Sequence, residues 1–232
     1  MMTKEELKKL KTATKKLTKW ESSGKAFGHY KVIEAKATDT NLANEKGADK
    51  IYEFYCLMKI LEDLSNNYTI LLVPGSKIFP EATAPKKGWA YFIIENKTNA
   101  TNKFQVCYGT KIKLSWAKKP TFAPDISIQK HDSTDDPNES MVELIMDAKF
   151  KYTNTSPLLV EQIHAFIQRV NALETKEAAL ISLDFTSTFS NIKGNCLLTN
   201  GKALPDQKDY CNKYKILQVQ QFDIGKTHNV VG

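Results

Sequence analysis

Pro124 and Asp125 are followed, after a spacer, by Asp147-Ala148-Lys149, an acid, an acid and a base within one stretch of chain. Successive side chains of an extended strand point to opposite faces of the sheet. The run from Glu143 to Lys151 therefore sets Leu144, Met146, Ala148 and Phe150 on one face and Asp147, Lys149 and Lys151 on the other. The same parity places Asp125, Ser127 and Gln129 opposite Ile126 and Ile128 on a neighbouring strand, so both aspartates project from one side. Pro124 suits the start of that strand, where a missing amide does least harm. Two carboxylates converging with a lysine are what a phosphodiesterase requires. Mg²⁺ is a hard cation that takes oxygen ligands and keeps several waters, so a few carboxylates suffice to hold it against a phosphate. The cation lowers the pKa of its water and offsets charge on the phosphoryl oxygens, while Lys149 is expected to steer or help deprotonate that water. The competing reading of Asp147 and Lys149 is a surface ion pair.

The elements that would position these residues can be read from periodicity. Residues 49 to 64 are apolar almost all round and read as a buried helix. Glu53 is its anomaly: a carboxylate among Tyr52, Phe54, Tyr55 and Leu57 needs a cation, a metal or several donors, or else the helix dipole or a lysine. Short β-type runs follow at 68–73, 89–95 and 104–108, then at 125–129 and 142–152, broken by Gly, Pro and Asn. The acidic loop between the last two reads as a solvated hairpin tip, since it lacks the spacing and central Gly of a calcium loop. A helix is expected over 157–173, with Leu159, Ile163, Phe166, Val170 and Leu173 on its core stripe, and a strand over 179–185. This strand, helix, strand order marks an α/β layer rather than an all-β sandwich. Thr3-Lys4-Glu5-Glu6 fits a capping box that opens a lysine-rich helix to about Trp20, and 21–49 reads as a connector. The organisation is an N-terminal helix and connector (1–44), a core (45–187) and a C-terminal extension packed on it (188–232).

The formal charge of +7 and a pI near 9.0 favour a polyanionic partner, because cations placed on phosphate release condensed counterions. Every Lys or Arg except Arg169 is lysine, which suits phosphate contact better than bidentate reading of guanine. No apolar run approaches the roughly 20 residues of a membrane helix, and the N-terminus lacks a secretory apolar region. A cytoplasmic protein with no membrane partner is expected. The four cysteines show no C-x-x-C pair and read as buried thiols.

Pro124-Asp125 and Asp147-Ala148-Lys149, preceded by the helix carrying Glu53, resemble the PD-(D/E)xK motif of restriction-endonuclease-like nucleases. With Glu161-Gln162-Ile163-His164-Ala165-Phe166, the set is similar to the nuclease subunit of McrBC-type, modification-dependent restriction systems. The resemblance covers about residues 45 to 187. It implies a central mixed sheet flanked by helices and Mg²⁺-dependent hydrolysis of DNA, with Mn²⁺ as a substitute, in a bacterial or archaeal cell. Asp125 and Asp147 would be metal ligands, Glu53 would complete or support the metal site, and Lys149 would be the catalytic lysine. Gln162 and His164 match polar positions that face the cleft. Fold-level analogy adds a homodimer, since two sites cut two strands. The short stretch before the matched part argues against a GTP- or ATP-driven motor partner. Two rival readings are a nuclease-fold DNA- or protein-docking subunit of a larger complex, and a nuclease that acts on RNA.

Overall fold

A computed structural model describes residues 45–73, 90–118, 122–151, 155–173, 194–220, 222 and 229–231. Helix α1 (Glu45–Leu64) leads into β1 (Tyr68–Val73), β2 (Tyr91–Asn96), β3 (Lys103–Tyr108), β4 (Ile126–Lys130) and β5 (Val142–Lys149). Helix α2 (Val160–Ala172), β6 (Cys196–Thr199), α3 (Pro205–Lys213), β7 (Leu217–Gln220) and β8 (Asn229–Val231) follow. The strands form one 8-stranded sheet whose spatial order is the chain order. Neighbours from β1 to β5 are antiparallel, β5, β6 and β7 run parallel, and β8 returns antiparallel. The chain is thus an α/β protein built on a mixed sheet with helices on its faces.

Strand alternation explains the layers. Leu144, Met146 and Ala148 of β5 join Ile126 and Ile128 of β4 and Cys196 and Leu198 of β6 in a core capped by Phe54, Leu57, Ile60 and Leu61 of α1. The residues between them face the other way. Ile145 and Leu197 pack under Ile163, Phe166 and Ile167 of α2 and Cys211 of α3. Val142 also lies on the α2 side because the β4–β5 register slips at Ile128/Gln129, where Leu144 and then Val142 are the partners. One extra residue in a strand reverses its parity.

Several boundaries differ from the sequence reading. Helix α1 starts at Glu45 rather than 49, and the second helix starts at Val160 because Leu159 has extended backbone and stands 60% exposed at its N-cap. The described part of 188–232 belongs to the sheet rather than lying on the core as an extension: β6 hydrogen-bonds directly to β5, and β7 to β6. Strands β6 and β7 are four residues long and carry buried residues on both faces, so no alternation betrays them. The lysine-rich helix to Trp20, most of the connector and the strand at 179–185 fall outside the described residues. Among the described residues no helix is long and apolar enough to cross a membrane.

Two asparagines bracket β6 and hold β5 in place. Asn195 Oδ1 accepts from the Ile145 amide at 2.8 Å. Beyond the other end, Asn200 Oδ1 accepts from the Lys151 amide at 2.6 Å and Asn200 Nδ2 donates to the Lys151 carbonyl at 2.7 Å. The second pair imitates a strand neighbour just where β5 has ended. Gly201 follows because a Cβ there would strike the Ser156 carbonyl oxygen. Replacing Asn200 by alanine strands both groups of Lys151 and is expected to cost about 1–3 kcal/mol; a urea midpoint unchanged from the parent would contradict it.

Candidate active site

Asp125 is the residue immediately before β4, and Asp147 and Lys149 are in the last turn of pleat of β5. Ile126 pairs with Met146, so Asp125 stands across from Asp147, on the same face of the sheet. The Asp125 amide donates to Asp147 Oδ1 at 3.3 Å, while Asp125 Oδ2 accepts from the Ala148 amide at 2.8 Å. Each aspartate thereby fixes the other's strand. The Gly109 amide completes the frame by donating to the Asp125 carbonyl at 2.9 Å.

Lys149 Nζ lies 3.3 Å from Asp125 Oδ2, 3.1 Å from Asp147 Oδ2 and 3.5 Å from the Ala148 carbonyl oxygen. Three oxygens thus face one cation. A second cation reaches the same acid from α2, where Arg169 NH1 is 2.6 Å from Asp147 Oδ2. Burial alone would push the Lys149 ammonium toward losing its proton, but Asp125 and Asp147 outweigh it and raise its pKa. Lys149 is therefore a charged donor at neutral pH, and of the roles expected for it, steering and charge stabilisation fit better than proton abstraction. Asp125 behaves oppositely: burial first, then the charge of Asp147, push its pKa up to about 7, with Lys149 opposing and Glu53 adding to the rise.

Glu53 projects from α1, and its Oε2 accepts from the Tyr108 hydroxyl at 3.2 Å in a buried contact at the end of β3. Its charge is felt at Asp125 and raises the Tyr108 pKa after burial has done so. Glu53 is adjacent to the pair rather than a member of it. Among the described residues no three His, Cys, Asp or Glu side chains gather closely enough to hold a metal ion. The expected triple of Asp125, Asp147 and Glu53 thus reduces to two acids and the Ala148 carbonyl, now around an ammonium. The donor set still fits a hard divalent cation, since all of it is oxygen.

Gln162 stands apart. Its Oε1 accepts from Lys151 Nζ at 2.9 Å and from the Leu159 amide at 3.2 Å, so it caps α2 and anchors the lysine two residues beyond Lys149. His164 is exposed and packs on Tyr210 of α3, with ring centroids 5.1 Å apart. Neither touches the acidic pair. Arg169 and Tyr108 were missed by sequence reasoning; the signal for the first was its being the one arginine in a chain that otherwise uses lysine. Compared with protein-family models, with curated proteins and with solved structures, the chain finds no match in any of the three.

Proposed function

We propose that the protein is a Mg²⁺-dependent DNA endonuclease of the PD-(D/E)xK kind, hydrolysing phosphodiester bonds in restriction or phage defence. The observation that carries this reading is the contact of one ammonium with two carboxylates and a backbone carbonyl from adjacent strand ends. When bound, a divalent cation supplies a nucleophilic water at neutral pH and offsets charge on the transferred phosphoryl group. Asp125, Asp147 and the Ala148 carbonyl would hold it, and Mn²⁺ would serve in place of Mg²⁺. Lys149, displaced from between the carboxylates, would then turn its charge toward the phosphate oxygens. The site lies on a chain of net charge +7, which draws a polyanion toward it. Glu53 would support Asp125 from below, through the Tyr108 hydroxyl that orients it.

Supercoiled plasmid, methylated and unmethylated, incubated with the protein in Mg²⁺, Mn²⁺ or EDTA tests this. Nicked and linear products are expected with either metal and none in EDTA or with Asp147→Ala. One observation favours a second reading, a docking subunit with a nuclease-like fold: the described residues hold no three-ligand cluster. Salt-dependent DNA binding that ignores EDTA, with no product on any substrate, would select that reading.

A further inference from the structure

Asp147 Oδ2 is shared by two cations of unequal accessibility. The Asp147 side chain is 2% exposed, that of Lys149 23% and that of Arg169 39%. A buried carboxylate needs a counter-charge, and Arg169 supplies one through a single nitrogen on a single oxygen. A guanidinium carries five N–H donors in a planar fork. Among the described residues, Asp147 is the one side chain that the Arg169 fork meets, and the side chain as a whole is partly exposed.

A divalent cation seated on Asp147 Oδ2 would stand beside Arg169 and Lys149, and like charges this close repel. Both must give way on Asp147 Oδ2. Lys149 is the more enclosed, and its ammonium would turn from the carboxylates toward the phosphate without leaving the site. Arg169 is the more exposed and hangs from the last turn of α2 by a flexible stem. A nucleic-acid phosphate brought to the site offers it two oxygens in the geometry its fork fits.

We propose that Arg169 is an exchangeable counter-ion: it neutralises Asp147 in the free protein and passes to a substrate phosphate, so that divalent-cation binding and DNA binding strengthen each other. The proposal rests on the nuclease reading of the same site and names how that site is loaded. Without DNA, Arg169 competes with the metal for Asp147. With DNA, the phosphate removes the competitor, and by linkage the metal strengthens the DNA contact by the same factor.

The test is calorimetric titration of Mn²⁺ into the full chain, with and without a short phosphorothioate duplex, with the duplex alone as blank. In the parent protein the duplex is expected to tighten Mn²⁺ binding about fivefold or more, within the usual range of coupling between sites. Arg169→Gln should bind Mn²⁺ more tightly than the parent without DNA, and the duplex should then add little. Arg169→Lys, which keeps the charge and loses the fork, should recover the enhancement in part. A duplex that leaves the parent's Mn²⁺ affinity unchanged overturns the proposal without reference to any variant. So does an Arg169→Gln protein of parental melting behaviour whose affinity and enhancement match the parent's. A parent that binds no Mn²⁺ and cuts no DNA overturns the nuclease reading as well, whereas Mn²⁺ binding and cutting indifferent to Arg169 overturns this proposal alone.

Discussion

Lys149→Ala is expected to lower turnover on duplex DNA by about a hundredfold or more, the usual worth of one preorganised electrostatic or proton-transfer group. The same substitution should tighten Mn²⁺ binding. Its ammonium sits 3.3 Å from Asp125 Oδ2 and 3.1 Å from Asp147 Oδ2, so removing it leaves two enclosed carboxylates and, among the described residues, Arg169 on Asp147 as the remaining cation partner. A divalent ion then meets less competition while the phosphate loses the charge meant for it. Opposite movement of metal affinity and turnover is a signature that a general folding defect cannot imitate. Lys149→Arg is not expected to rescue turnover, because a planar fork does not fit where a compact ammonium touches three oxygens. Single-turnover cleavage at saturating Mn²⁺ beside an Mn²⁺ titration decides it; parental turnover in Lys149→Ala would remove this lysine from the chemistry.

The second large effect concerns pH. Asp125 is raised from an ordinary 3.8 to about 7, chiefly by burial and then by Asp147. Between those values the folded protein holds a proton that the unfolded chain has released. Stability contributed by this group is therefore present below pH 3.8 and is lost as pH rises through about 7. Metal-free protein should melt at a lower temperature at pH 8 than at pH 5.5, and Asp125→Asn, which carries no charge to desolvate, should flatten that difference. Divalent cations act in the opposite sense. Their ligands must be deprotonated, so Mn²⁺ affinity should weaken by up to about tenfold per unit as pH falls below 7. Mn²⁺ should raise the melting temperature of the parent at pH 8 far more than at pH 5.5, and that of Asp125→Asn little at either. Thermal melts at the two pH values with and without Mn²⁺ check each arm; an Asp125→Asn profile parallel to the parent's would mean that another group carries the titration.

How much of this was legible beforehand depends on which residues had a period to read. Leu144, Met146 and Ala148 alternate with Ile145, Asp147 and Lys149, and the structure puts the first three under α1 as alternation requires. Asp125 and Asp147 come together because strand parity, a local property, fixes which way each points. Cys196–Thr199 offered no such signal, being buried throughout. The register slip at Ile128/Gln129 was equally hidden, since nothing in the composition of a strand announces one extra residue. Arg169 reached Asp147 across 22 residues through the packing of α2 on the sheet, a distance over which spacing says nothing. Gln162 was placed in the cleft by likeness to a motif, and its carbonyl turned out to serve the N-terminus of its own helix and Lys151.

A sheet whose spatial order is its chain order has a consequence for how the molecule comes into being. Each new strand finds its partner already formed on one side and never has to insert between two others. Such assembly can proceed from the N-terminus as the chain is synthesised, and from β1 to β5 antiparallel neighbours need no crossover, whereas the parallel β6 and β7 do. Asp125, Asp147 and Lys149 belong to one hairpin and would meet early, whereas Arg169 arrives only when α2 docks. During that interval the acidic pair has its lysine and not yet its arginine. Pulsed hydrogen exchange during refolding should find the β4 and β5 amides protected before those of β6 and β7.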